Sequence, residues 1–138
     1  MLSKFVYPIV ASVAVLSACA QTDIQPLSAT SFKVATTAAP ACGRTGARTV
    51  ANQAAAIEVI NRGGDRFIFV GTETGSRVTG VNYNRYTGFQ PMNSNEQGLV
   101  VQMLSERDPE YRNALSARQL LGPDWQQIVA NGVPNTCT

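Results

Sequence analysis

The sequence predicts an α+β fold: one small domain over residues 31–138, with the element order β-α-β-β-β-α-α. Two patterns predict this class. Apolar runs of strand length recur along the chain, and longer segments carry apolar residues at the three- and four-residue spacing of amphipathic helices. We therefore expect a roughly four-stranded sheet with helices packed on it. Of the 138 residues, the roughly 105–120 that remain after an N-terminal export signal are enough for one hydrophobic core but not for two.

The first half of this domain is predicted as strand, helix and strand. Phe32 and Val34 alternate with polar neighbours, which predicts a strand at 31–37. A helix is expected at 46–62, because apolar residues repeat on one of its faces and the following Gly63-Gly64 pair can end it. The unbroken apolar run at 66–70 predicts a central strand. If the two strands are parallel neighbours, the connection between them should be right-handed.

The middle of the chain predicts two more strands of unequal quality. Segment 77–86 is the weaker one, because Gly80 interrupts it. Segment 87–97 is rich in Gly, Asn, Ser and Pro, which indicates a loop. The apolar segment 98–104 then predicts the fourth strand.

Two helices are expected at the C-terminal end. Asp108-Pro109-Glu110 combines a good N-cap, a proline for the first turn and an acidic residue, so a helix should begin there or a few residues later and end before Gly122. Pro123-Asp124 can start a shorter helix that carries Trp125, which we expect in or near the core.

Residues 1–18 have the proportions of a signal peptide. The charged residue Lys4 precedes an apolar run over 5–16, which is shorter than the about 20 residues needed to span a bilayer. The run ends in Leu16-Ser17-Ala18-Cys19, which resembles the lipobox of bacterial lipoproteins. This resemblance implies cleavage before Cys19 and acylation of that residue. Several acyl chains together give stable membrane anchoring.

The same resemblance carries expectations about location. Residue 20 is Ala rather than Asp, which implies a lipid-anchored cell-envelope protein at the outer membrane, facing the periplasm. The polar segment 19–30 is expected to be the lipidated N-terminus and a flexible tether. An alternative stays open, because Ala18-Cys19-Ala20 also fits ordinary signal cleavage, which would release a soluble protein beginning at Gln21.

The chain has three cysteines, an odd number that needs explaining in an exported protein. If Cys19 is acylated as the resemblance implies, Cys42 and Cys137 remain. In an oxidising compartment they are expected to form a disulfide. The chain has no histidine and no Cys-x-x-Cys pair, so we expect no metal site, no cofactor and no catalytic thiol.

Composition and motifs argue against several function classes. A net charge of +2 is too small to indicate a nucleic-acid partner. The glycine-bearing loop 42–46 matches neither a P-loop nor a dinucleotide fingerprint. Three acids, Glu106, Asp108 and Glu110, are explained by a helix start. Because no nucleophile–base pair is recognisable either, we expect a non-enzymatic protein.

One stretch has the composition of a recognition surface. Tyr83, Arg85, Tyr86 and Phe89 lie among Asn residues, and such aromatic and Arg side chains often dominate binding energy. The competing interpretation is an ordinary strand whose tyrosines pack on cross-strand partners. The predicted function is a membrane-anchored structural or interaction role, with another envelope protein or the cell wall as partner. The alternative is a small-ligand binding or sensing module with a cleft near residues 81–97.

Overall fold

The computed structural model describes residues 19–86 and 88–137, with backbone alone for 73–74, 76–84 and 88–95. These residues form one α+β domain, a five-stranded sheet with helices packed on it, which confirms the predicted fold class. All the strand pairs are antiparallel, and the spatial order is β1-β2-β4-β3-β5. The strands are β1 (Ala20–Pro26), β2 (Ser31–Ala38), β3 (Arg66–Asn84), β4 (Gly88–Met103) and β5 (Leu115–Ser116).

Three helices accompany the sheet: α1 (Gly43–Asn61), α2 (Ala117–Leu121) and α3 (Trp125–Asn131). Short 3₁₀ turns precede α1 at Pro40–Cys42 and β5 at Tyr111–Asn113. The predicted helix at 46–62 is therefore present and starts three residues earlier. No helix in the described part of the chain combines the length and the hydropathy that a membrane span requires.

The core lies between α1 and one face of the sheet. Alternate residues of β2 point into it, so Phe32 and Val34 are fully buried. The buried face of α1 is mostly alanine, which lets the helix backbone lie close to the strands. Trp125 is partly buried against this core, as expected. The buried members of the core are Phe32, Val34, Ala51, Ala54, Ala55, Ala56, Ile57, Val59, Phe67, Leu99, Val101, Ala117 and Leu121.

The predicted flexible tether is wrong for residues 20–26, which form the edge strand β1. This strand pairs with β2 over its whole length, from Ala20 opposite Ala38 to Pro26 opposite Phe32. Ala20 is buried and Ile24 is half-buried. An edge strand needs only backbone hydrogen bonds to its neighbour, so the polar sequence of β1 carried almost no periodic signal.

The predicted division of the middle of the chain is also wrong. The separate strands expected at 66–70 and 77–86 are one long strand, β3, with bulges after Phe69 and Val78. Most of the loop expected at 87–97 belongs to β4, which pairs with β3 along its full length. The strands before and after α1 are not neighbours, because β4 lies between them. Cross-strand pairing thus overrides the turn-like composition of this segment.

The helix expected to start at Asp108 or a few residues later does not form there, and Asp108 lies in a turn. The Asp108 carboxylate accepts hydrogen bonds from the Ser105 backbone N–H at 2.7 Å and the Ser105 hydroxyl at 3.1 Å, which closes the turn. Helix α2 begins later, with Ser116 as its N-cap: the Ser116 hydroxyl accepts from the Gln119 N–H at 3.3 Å. Asp can bond its own local backbone in a turn as well as cap a helix, so its sequence signal is ambiguous.

Candidate functional site

A two-stranded ribbon extends beyond the rest of the sheet. The last residue of β2, Ala38, lies opposite Asn95 of β4, which lies opposite Ser76 of β3. Beyond that line, residues 77–84 and 88–94 pair with each other and with no other strand of the described chain. We call these two segments and the turn between them the ribbon. At about 3.3 Å per residue, the ribbon carries its turn roughly 25 Å past the end of β2.

The predicted interaction residues lie together at the tip of the ribbon. Tyr83 and Phe89 are register partners one step before the turn. Their side chains lie outside the described residues, so the prediction for them stays a prediction. Arg85 and Tyr86 lie in the turn and are exposed, with Tyr86 93% accessible. The hairpin register therefore brings all four positions to one place.

Cys19 is held at the end of the sheet from which the ribbon extends. Its backbone carbonyl accepts a hydrogen bond from the Ala39 N–H at 3.0 Å, and it forms an isolated bridge with Thr136. The next residue, Ala20, donates its N–H to the Asn135 carbonyl at 2.8 Å. The backbone at Cys19 is thus tied both to the end of β2 and to the C-terminal segment. Cys19 is exposed and lies outside the disulfide.

The predicted disulfide between Cys42 and Cys137 is confirmed, with a Cα–Cα distance of 5.7 Å. It joins the start of α1 to the C-terminal segment that pairs with Cys19. Both cysteines pack on a small cluster of buried side chains at this end of the domain. This cluster is distinct from the main core. The cluster consists of Ala20, Ala38, Ala47 and Val50.

Gly46 is required by the close packing of this disulfide. A Cβ atom at position 46 would lie 3.0 Å from the Cβ of Cys42 and 3.2 Å from the Cβ of Cys137. Real Cβ atoms rarely approach so closely, and the bridged cysteines are not free to move aside. Gly46 of the 42–46 segment is thus explained by the structure of the helix start, in line with the absence of a nucleotide motif.

The start of α1 is positively charged. Arg44 and Arg48 are exposed on its first two turns, and no acidic residue lies in the first turn. Two adjoining cavities of about 190 and 280 Å³ lie beside this part of the helix. Arg48 and the buried residue Gln97 line both of them. Each is smaller than the about 300–1,000 Å³ typical of small-molecule sites.

The three acidic residues near the predicted helix start do not form a metal or catalytic site. Glu106, Asp108 and Glu110 lie in the connection after β4, at the opposite end of the sheet from Cys19. Asp108 is engaged in its turn, and its two acidic neighbours are exposed. Within residues 19–86 and 88–137, no group of three or more Cys, Asp or Glu side chains is placed to hold a metal ion.

Sequence reasoning missed one structural residue, Asp65. Its carboxylate accepts hydrogen bonds from the Ser116 hydroxyl at 2.9 and 3.0 Å and from the Arg118 N–H at 3.0 Å. Its carbonyl also accepts from the Ala117 N–H at 2.8 Å. Asp65 therefore fixes the start of α2 beside β3. Its partners lie some fifty residues away, so no local signal could have indicated this role.

In the comparisons with known proteins, no family model matches the chain, and no curated protein and no solved structure matches it.

Proposed function

We propose that this protein is a non-enzymatic, lipid-anchored protein of the bacterial cell envelope whose ribbon binds another envelope protein. The observation that carries the proposal is the ribbon itself, which projects beyond the body and presents Arg85 and Tyr86 at an exposed tip. A tyrosine offers a large contact area with few torsions to restrict, and Tyr and Arg are enriched among residues that dominate binding.

The backbone of the ribbon supports the same proposal. Each of its strands has one edge with which no other strand of the described chain pairs. Such an edge presents rows of N–H and C=O groups to which an extended segment of a partner can add as a further strand. A protein partner can use both the edge and the side chains of the tip, whereas a cell-wall polymer lacks the repeating N–H and C=O pattern of a β-strand.

The lipid anchor is supported by two observations. Leu16-Ser17-Ala18-Cys19 resembles a lipobox, and Cys19 is exposed at one end of the domain, so an acyl group there displaces nothing from the core. Placement at the periplasmic face of the outer membrane rests on that resemblance and on Ala20. Because Ala20 is buried beside the disulfide, packing alone also accounts for a small residue at this position.

The small-ligand alternative has less support. The cavities beside α1 are small, and among the described side chains of the predicted cleft at 81–97, Gln97 lines them. Larger cavities of about 410 and 400 Å³ lie elsewhere, one against the C-terminal segment and one between Arg118 and Trp125. The second is lined by a pair of side chains that already contact each other, because the Arg118 guanidinium stacks over the Trp125 ring at 4.9 Å.

We expect the mature protein to begin at Cys19 and to carry lipid on it. Intact-mass measurement of protein purified from bacterial membranes should show this chain with its disulfide plus the mass of the acyl groups. A Cys19→Ser variant is the matched control and should remain unprocessed or appear without lipid. An unmodified N-terminus at Gln21 would contradict the anchor and favour a released protein.

We expect a photo-crosslinking residue at position 86 to capture a specific envelope protein in living cells. The same residue at position 107, which is exposed at the opposite end of the domain, is the control. Once the captured protein is purified, Tyr86→Ala should weaken its binding by about 10- to 30-fold, the usual effect of truncating a dominant contact. The melting temperature should stay nearly unchanged, because Tyr86 is exposed. Equal capture at both positions, or unchanged affinity, would contradict the proposal.

A further inference from the structure

We propose that the domain is held against its membrane in one orientation, with Arg44 and Arg48 at the start of α1 contacting anionic lipid headgroups. This inference rests on the proposed acylation of Cys19 and adds to it a defined membrane-facing surface. The surface is the end of the domain that contains Cys19, the first two turns of α1 and the disulfide. The occupant is the bilayer in which the acyl chains of Cys19 are embedded.

The first argument is that no flexible linker separates the acylated residue from the folded domain. Strand β1 begins at Ala20, directly after the acylated position, and the carbonyl of Cys19 itself bonds the Ala39 N–H. A flexible linker would let the domain tumble at some distance from the lipid. Here the anchor is attached to the sheet end, so the residues around Cys19 must lie close to the headgroups.

The second argument is that this sheet end brings α1 to the anchor. Ala20 packs with Ala47 and Val50 of α1 in the cluster beside the disulfide. Arg44 and Arg48 flank these positions on the exposed side of the same two turns. The N-terminal end of a helix adds a further partial positive charge, and α1 has no acidic residue in its first turn to offset it.

The third argument is the distribution of charge. The acids Glu106, Asp108 and Glu110 lie at the far end of the sheet, away from Cys19. Two described acids lie nearer the anchor end, and both lie on the sheet face away from α1: Glu96 of β4 alternates with buried Gln97, and Asp23 of β1 alternates with Ile24, which packs on the core. The α1 side of the anchor end is therefore cationic, which is complementary to anionic lipid.

The ribbon restricts the orientation further. It extends roughly 25 Å past the end of β2 at the strand spacing of about 3.3 Å per residue, in the direction of the anchor. An open two-stranded ribbon cannot enter hydrocarbon, because the polar groups along its edges would be unpaired there. With Cys19 at the membrane, the strands must therefore be tilted toward the plane of the bilayer, so that the ribbon lies over the headgroup layer instead of pointing into the hydrocarbon. Its tip would then meet partners located at the surface of the same membrane.

The test uses the acylated protein in vesicles of phosphatidylcholine, with and without phosphatidylglycerol. A photo-crosslinking residue is placed at Thr45, between the two arginines, or at Asn113, at the far end; both positions are exposed and uncharged. Mass spectrometry then measures the lipid adducts. We expect several-fold more adduct at position 45 than at 113, increasing with the fraction of phosphatidylglycerol.

An Arg44→Ser/Arg48→Ser variant should remove most of the phosphatidylglycerol-dependent adduct at position 45, because each arginine near an anionic surface is worth about fivefold. The matched control is Arg107→Ser/Arg112→Ser, which removes two exposed arginines from the far end and should have no effect.

Equal adducts at 45 and 113 in acylated protein would overturn the orientation alone. Absence of lipid on Cys19 in the intact mass would overturn the anchor and the orientation together. An unchanged adduct in the double arginine variant would overturn the role of the arginines.

Discussion

Replacing Cys42 and Cys137 together by serine should lower the free energy of unfolding by about 4–5 kcal/mol, or somewhat less if the unfolded chain is compact. The two cysteines are 95 positions apart, so the disulfide restricts most of the unfolded domain. Thermal unfolding of the oxidised protein, the reduced protein and the double variant measures the effect. A decrease in melting temperature on the order of 15–30 °C is expected for a domain of this size.

The same substitution should loosen one end of the fold before the rest. The C-terminal segment supplies the Asn135 carbonyl to the Ala20 N–H and the bridge from Thr136 to Cys19. Amide exchange at Ala20 should therefore speed up, while amides in the centre of β2 and β4 stay protected. Cys19→Ser is the matched control when all the proteins are prepared without signal peptide and lipid, and it should change neither quantity, because Cys19 lies outside the disulfide. A loss of less than about 1 kcal/mol would contradict the stabilising role that this loop size implies.

Phe32→Ala should cost about 3–5 kcal/mol, which is typical of truncating a core aromatic residue. The Phe32 side chain is 0% exposed and lies in the main core between β2 and α1. The Arg62 guanidinium lies 4.7 Å from the centroid of its ring, so the substitution also removes a cation–π contact. Chemical denaturation of the oxidised protein measures the change in free energy.

Tyr86→Ala is the matched control for this experiment. It removes an aromatic ring of similar size from a side chain that is 93% exposed. A change within about 0.5 kcal/mol is expected for such a surface position. Equal losses for the two variants would contradict the assignment of Phe32 to the core and of Tyr86 to an exposed tip.

The elements predicted correctly are those whose own sequence pattern shows which of their residues are buried. Helix α1 is amphipathic over five turns, so the positions of Val50, Ala54 and Ile57 were enough to locate it. The alternation of Phe32 and Val34 likewise indicated the buried face of β2. In each case the periodicity is the direct consequence of one face packing against the core.

The elements predicted wrongly depend on partners that are distant in sequence. Strand β1 is stabilised by pairing with β2, and its polar side chains give no sign of this. The second strand of the ribbon, 88–94, has a loop-like composition, but it pairs with β3 from Asn84 opposite Gly88 onwards. The cap of α2 involves Asp65 and Ser116, which no local window contains.

For the candidate site, residue types were predictable but their arrangement was not. The aromatic and Arg composition around residue 86 indicated a recognition surface, and the hairpin register shows why these positions come together at a tip. Nothing in the composition indicated that the tip lies beyond the body, or that Cys19 is attached to the same end of the sheet. Both depend on strand order and register.

The sequence by itself determined the α+β class, helix α1 and the strands whose apolar faces build the core, because local periodicity shows which face of an element is buried. Its cysteine count, together with the lipobox resemblance, also indicated the Cys42–Cys137 bridge, which the geometry bears out. Only the tertiary structure decided that β1 completes the edge of the sheet, that β4 lies between β2 and β3, and that Cys19, the arginines of α1 and the ribbon share one end. The reason is that periodicity identifies a buried face but not the element that covers it. Strand order and register arise from pairing between segments far apart in the chain.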